Sequence, residues 1–141
     1  MHPLKGLVRF GVSLDKSLLD RFDRLIRKRG RCTRSHAFQE LVRQTLVSEE
    51  WTSNREVAAT VTLVYHPGQR EVVRRLLAVQ HVAKARVLAA QHLHLDHDHC
   101  MEVLIARGRP QDLRRLADAL KAIRGVKFGA LNLATTGRDL P

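Results

Sequence analysis

Apolar and polar positions alternate along residues 8–14 (VRFGVSL), with Val8, Phe10, Val12 and Leu14 on one side and Arg9, Gly11 and Ser13 on the other. A period of two predicts a strand. The period then changes. Asp15 offers a helix N-cap, and after it Leu18, Leu19, Phe22, Leu25 and Ile26 fall on one helical stripe. Gly30 stands where a left-handed cap would end that helix. A second helix is expected from Thr33 or Ser35, with Phe38, Leu41, Val42 and Leu46 as its stripe. The N-terminal order is strand, helix, helix.

Residues 49–55 (EEWTSNR) are polar apart from Trp51 and read as a linker. Beyond them the periodicity predicts a strand over Val57–Tyr65, a turn at 66–68 (HPG), and a helix over Arg70–Val82 with Val72, Val73, Leu76, Leu77 and Val79 apolar. Strands are expected over Lys84–Leu95 and Cys100–Arg107. Gly108 and Pro110 precede a helix over Gln111–Ile123 that turns Leu113, Leu116, Ala117 and Leu120 inward. Gly125 ends it, and Val126–Ala134 is the last strand. The order β-α-β-β-α-β is the ferredoxin-like pattern, which ACT-type ligand-sensing domains share. The expected fold class is therefore α+β. A βαα segment occupies residues 1–48, a linker 49–55, a ferredoxin-like domain 56–136 and a tail 137–141.

Charge adds a partner. The 141-residue chain carries a net charge of +11, which favours polyanions. Residues 24–34 hold Arg24, Arg27, Lys28, Arg29, Arg31 and Arg34 with no acid among them. A segment of about 45 residues is near the lower limit for burying its own core, and a lone strand has two open edges. Pairing with the same strand of a second chain answers both needs. The resulting two-stranded ribbon would expose Arg9, Gly11 and Ser13 from each chain, a shape that enters the major groove, where Arg reads guanine. No apolar run approaches 18 residues, so no membrane span is expected. Two cysteines, Cys32 and Cys100, are too few for a disulfide scaffold, and free thiols in the cytoplasm are the natural reading.

The ordered set RFGVSLD, LLDRFDRLI, RG and TRSHAFQELVR resembles the ribbon-helix-helix repressors. The resemblance implies a dimeric DNA-binding segment. It also implies that Arg34 and Ser35, opening the second helix, contact backbone phosphate, in keeping with the free N–H groups of a helix N-terminus.

Five of the eight histidines fall between residues 81 and 99, most densely in QHLHLDHDHC (91–100). His92 and His94 stand two apart on a strand, so their rings share one face at a Cα spacing of roughly 6.5–7 Å. Cys100 opens the next strand and can return a thiolate to the same place, and His81 near the end of the preceding helix is a fourth candidate. Imidazole with thiolate suits zinc, copper, nickel or iron and argues against magnesium or calcium.

With that constellation in place, the whole chain resembles the nickel-responsive regulators of the NikR family. The resemblance rests on His92-x-His94 followed by five residues and Cys100, and on the Gln80-His81 pair ending the preceding helix. It implies nickel(II), one per subunit, held by His92, His94 and Cys100 of one subunit and by His81 of another. It further implies a homotetramer built as a dimer of dimers, bound to double-stranded, palindromic operator DNA with two half-sites. Nickel would strengthen operator binding, and the regulator would be a repressor and not an enzyme. Where the family often reads RSEAIRD this chain reads RSHAFQE. His36 and Gln39 therefore replace an acidic and a basic residue, while Glu40 keeps the second acidic position. Two other readings compete. One is an ACT-like sensor of small molecules joined to the same DNA-binding segment. The other is a metallo-hydrolase through His92-x-His94-x-Asp96-His97, which lacks later His and Asp ligands and leaves the N-terminal segment unexplained.

Overall fold

The computed structural model describes residues 6–30 and 32–141; Arg31 of the basic run and residues 1–5 lie outside the described residues. The chain divides into two units between Leu41 and Val42. In the first, α1 spans Lys16–Lys28, and the Asp15 carboxylate caps it by accepting from the N–H groups of Ser17 and Leu18 at 2.9 and 3.3 Å. Gly30, with φ at +83°, closes the turn after it. The second helix, α2, spans Arg34–Glu50, and Thr33 Oγ1 accepts from the His36 N–H at its start.

Residues 6–15 carry no regular secondary structure, so the expected strand over 8–14 is not a strand in the single chain. A strand is defined by its ladder, and this one was expected to pair with a second chain. Its alternation is nevertheless in place. Phe10, Val12 and Leu14 line one cleft with Leu19, Phe22 and Phe38, and the rings of Phe10 and Phe38 lie 5.6 Å apart. Among the described residues of the first unit only Ile26 and Ala37 are buried, whereas Leu18, Leu25, Phe38 and Leu41 stay exposed.

The second unit contains β1 (Val57–Tyr65), α3 (Arg70–Val82), β2 (Arg86–His94), β3 (Cys100–Gly108), α4 (Pro110–Lys121) and β4 (Val126–Leu133). The four strands form one antiparallel sheet in the order β2-β3-β1-β4. That order with two crossover helices is the ferredoxin-like arrangement. Along β1, Val57, Ala59, Val61, Leu63 and Tyr65 are buried and their neighbours partly so, which marks the face covered by Val72 and Leu76 of α3 and Leu113, Leu116, Ala117 and Leu120 of α4. Gly125, with φ at +105°, leads α4 into β4; a side chain there would collide with Val72.

One expectation changes. The polar stretch 49–55 is not simply a linker, because Glu49 and Glu50 finish α2 and Trp51 is buried in the second unit. The Trp51 indole N–H donates to the Ala134 carbonyl at 2.8 Å, and the Arg114 guanidinium sits 5.3 Å from its ring centre. A large ring beside a small aliphatic core is buried whatever its polar neighbours. Of the apolar residues of α3, Val72 and Leu76 are buried and Leu77 is 62% exposed.

Candidate metal centre

The register of the β2–β3 hairpin decides whether the histidines can meet the cysteine. Val87 pairs with Ala106 and Ala90 with Leu104, both partners facing the helices, so one extra residue lies between them at a bulge around Leu88. Without it the alternation would turn Gln91 and Leu93 toward the helices. With it, His92 pairs with Glu102 and His94 with Cys100, on the same face as Tyr65, the partner of Cys100 on β1.

Cys100 is fully buried, while His92 and His94 are exposed at the edge strand. Cys100 Sγ lies 2.9 Å from His92 Nε2, and the rings of His92 and His94 are 5.5 Å apart. On the other side of His92, Nδ1 is 3.1 Å from the Tyr65 hydroxyl, which donates to Glu102 Oε2 at 2.7 Å. A hydroxyl has one proton. Since that proton goes to Glu102, the Tyr65 oxygen accepts from His92 Nδ1–H, and the tautomer assigned by this network leaves Nε2 as the acceptor facing the thiol. Burial pushes the Cys100 thiol up from its ordinary range. Burial, with the Glu102 carboxylate second, holds the Tyr65 hydroxyl far above the usual phenol range.

Tyr65 and Glu102 were not singled out in the sequence. Their signal is there: Glu102 is a carboxylate in the inward row Cys100, Glu102, Leu104, Ala106, where an unpaired charge would be costly. His81, at the end of α3, lines a cavity with Leu77, Gln80, Arg86, Val87 and Leu88. That is the opposite end of β2 from His94, ~20 Å along a strand rising ~3.3 Å per residue. The structure thus sets Cys100 against His92, places the His94 ring beside that of His92, and leaves His81 apart. Among the described residues, no three His, Cys, Asp or Glu side chains of the single chain are gathered closely enough to hold an ion. The donor set suits a transition ion all the same: a buried thiol against an unprotonated ring nitrogen, with a second imidazole adjoining.

In the first unit Arg9, Gly11 and Ser13 are exposed. Arg34 is engaged, donating to both carboxylate oxygens of Asp23 at 2.7 and 2.8 Å, and the guanidinium holds the Asp23 carboxyl below its ordinary range. His36 Nε2 lies 3.4 Å from Glu40, and Cys32 Sγ faces the Thr33 carbonyl.

Residues 8–49 match the ribbon-helix-helix proteins of the copG family, and residues 58–134 match the NikR C terminal nickel binding domain. A candidate nickel-responsive regulator of Syntrophus aciditrophicus is 42% identical over 96% of this chain and 98% of its own length, and one of Solibacter usitatus is 46% identical over 97% and 99%. The ACT domain of a GTP pyrophosphokinase of Chlorobium tepidum is similar over 54% of this chain and 85% of its own, at 14% identity and a TM-score of 0.46. The chain belongs to the NikR family of nickel-responsive regulators. These are transcriptional regulators, so the hydrolase reading falls; in the structure Asp96 and His97 lie in the β2–β3 turn, where Asp96 is taken up by His99. No described helix is long and apolar enough to cross a membrane.

Proposed function

We propose that the chain is a repressor that binds palindromic operator DNA as a homotetramer, one nickel(II) per subunit being held by His92, His94 and Cys100 of one chain and His81 of another. The observation that carries this reading is the Cys100–His92 contact on the face that the Leu88 bulge creates. The separation of His81 from that cluster supports its supply by a second chain. Bound there, nickel would act as a crosslink between subunits. On this chain's own side, the Glu102–Tyr65 pair holds the proton of His92 on Nδ1 and so keeps Nε2 ready as a donor. Cys100 must give up its proton on binding, so uptake releases protons.

The DNA-binding segment needs the second copy independently. Its exposed stripe of Leu18, Leu25, Phe38 and Leu41 has more apolar surface than a segment of this size can cover alone. A partner's ribbon would close the Phe10–Phe38 cleft and leave Arg9, Gly11 and Ser13 toward the bases. Arg34 and Ser35 would take phosphate at the start of α2, with Arg34 steered by Asp23. A metal held across the tetramer and DNA held by its ribbons are then coupled through one assembly, and the coupling is reciprocal.

The test is operator binding by metal-free protein titrated with nickel, zinc, cobalt and copper in turn. Nickel is expected to tighten operator binding by ~5- to 150-fold, the ordinary span of such couplings, and operator DNA to tighten nickel by the same factor. Nickel that leaves operator affinity unchanged would overturn the reading. A smaller test concerns the pair behind His92. Tyr65→Phe should weaken nickel binding by ~10- to 100-fold, as loss of a partner to a ligating histidine commonly does, while Cys100 still ligates. Unchanged affinity would remove Tyr65 from the site.

A further inference from the structure

Hydrogen-bond roles divide the histidines at this end of the sheet into two kinds. His92 turns its accepting nitrogen to the Cys100 thiol, itself a residue of the proposed site, whereas those of His66 and His99 are taken by the Gly68 N–H and the Lys127 ammonium. The Gly68 N–H donates to His66 Nδ1 at 2.9 Å, which leaves the ring proton on Nε2, 3.5 Å from Asp98 Oδ1. The Lys127 ammonium has donors only and stands 2.8 Å from His99 Nε2, so that nitrogen accepts. The His99 proton is then on Nδ1, 2.9 Å from both oxygens of Asp96. Asp96 accepts in addition from the Asp98 N–H at 2.8 Å, and the His99 N–H beside it holds its carboxyl below the ordinary range.

These contacts tie three places together: the turn after β1, the β2–β3 turn and the start of β4. The last ladder pair of the hairpin is His94 with Cys100. Beyond it the backbone adds only the Leu95 and Asp96 N–H groups to the His99 carbonyl, at 2.9 and 3.4 Å. Two residues of the proposed nickel site therefore flank a short turn whose order comes largely from side chains. Hairpin ends are the places where a ladder opens first.

We infer that Asp96, His99 and Lys127 form a positioning clamp for the nickel site, one that holds the β2–β3 turn so that His94 and Cys100 keep a fixed separation. The dense HLDHDHC run then has a division of labour: His92 and His94 ligate, and His99 braces. The inference rests on the nickel site proposed above. It also accounts for the lysine at 127, an exposed position where many side chains would serve equally as surface.

Lys127→Met and Lys127→Arg test it in the full-length chain. The measurements are nickel and zinc affinity by chelator competition, the thiolate-to-nickel absorption band, and thermal unfolding of the metal-free protein. Lys127→Met should weaken nickel by about tenfold, the lower end of losses seen for groups that orient ligands. Zinc should lose less, because its filled d shell imposes no geometry. Lys127→Arg should restore most of the nickel affinity, and unfolding should not move. Nickel affinity equal to the parent's would overturn the clamp alone. So would equal losses of nickel and zinc, or losses that follow a lower melting temperature, since these describe a structural role. A second nickel per chain that vanishes in His99→Ala would make the turn a metal site instead. A parent chain with no Cys100-dependent band would overturn the nickel site itself, and the clamp with it.

Discussion

Cys100→Ala should abolish the thiolate-to-nickel absorption band and reduce nickel affinity by more than ~100-fold, past the range that loss of an orienting group commands. The side chain is fully buried, and its sulfur lies against His92 Nε2, the one ring nitrogen of that histidine left as an acceptor. A thiolate is both a ligand and the source of the band, so alanine removes both at once. Deleting one buried sulfur from this small core should cost the metal-free protein on the order of 1 kcal/mol. The metal-free chain will therefore still fold, and the loss of nickel can be read separately. Cys32→Ala is the control. Cys32 belongs to the first unit and its sulfur reaches only the Thr33 carbonyl, so the band and the affinity should stand. Absorption spectra and chelator competition on the two variants decide it. A band that survives Cys100→Ala would mean that the nickel sits elsewhere.

The ferredoxin-like domain was legible because its elements alternate with the periods of strand and helix. Arg70–Val82 was bounded as observed, and the other elements fell within about two residues. The H-x-H spacing was equally plain. What the spacing could not carry was the face. Two residues apart on a strand guarantees a shared side, but which side depends on the bulge at Leu88, where the run RVLAAQ has no proline or glycine to announce an irregularity. Trp51 was hidden by composition, since six polar neighbours outweigh one ring in a count but not in buried area. Arg34 shows a different limit. Its place at a helix start suggested phosphate, while its bidentate pairing with Asp23, eleven residues earlier, depends on the turn between α1 and α2. The strand over 8–14 was readable as alternation, yet its hydrogen bonds were expected from a second chain, so nothing within one chain could complete it.

Mixing two inactive variants, His81→Ala and His92→Ala, should restore nickel sites that neither possesses. The reason is distance. His81 lines a cavity with Arg86, Val87 and Leu88, whereas His94 and Cys100 pair at the far end of the same hairpin, and ~20 Å of strand lies between. No rotamer of a histidine spans that gap within one chain. If His81 completes the site, it does so from a second chain. Each homo-oligomer then lacks one ligand at every site. After subunit exchange, a His81→Ala chain supplies intact His92, His94 and Cys100, and a His92→Ala chain facing it supplies His81. Half of the three-residue sets are intact in an equal mixture, and half of those meet an intact His81, so about a quarter of all sites should recover if partners exchange at random. The recovered sites should show the Cys100 band, and adding the Cys100→Ala change to the His81→Ala chain should erase it. Exchange must be verified independently, for instance by mass analysis of differently tagged subunits. Mixed oligomers that take up no nickel would remove His81 from the site as a partner's ligand. Without that crosslink, the proposed coupling of metal to DNA would lose its link between subunits.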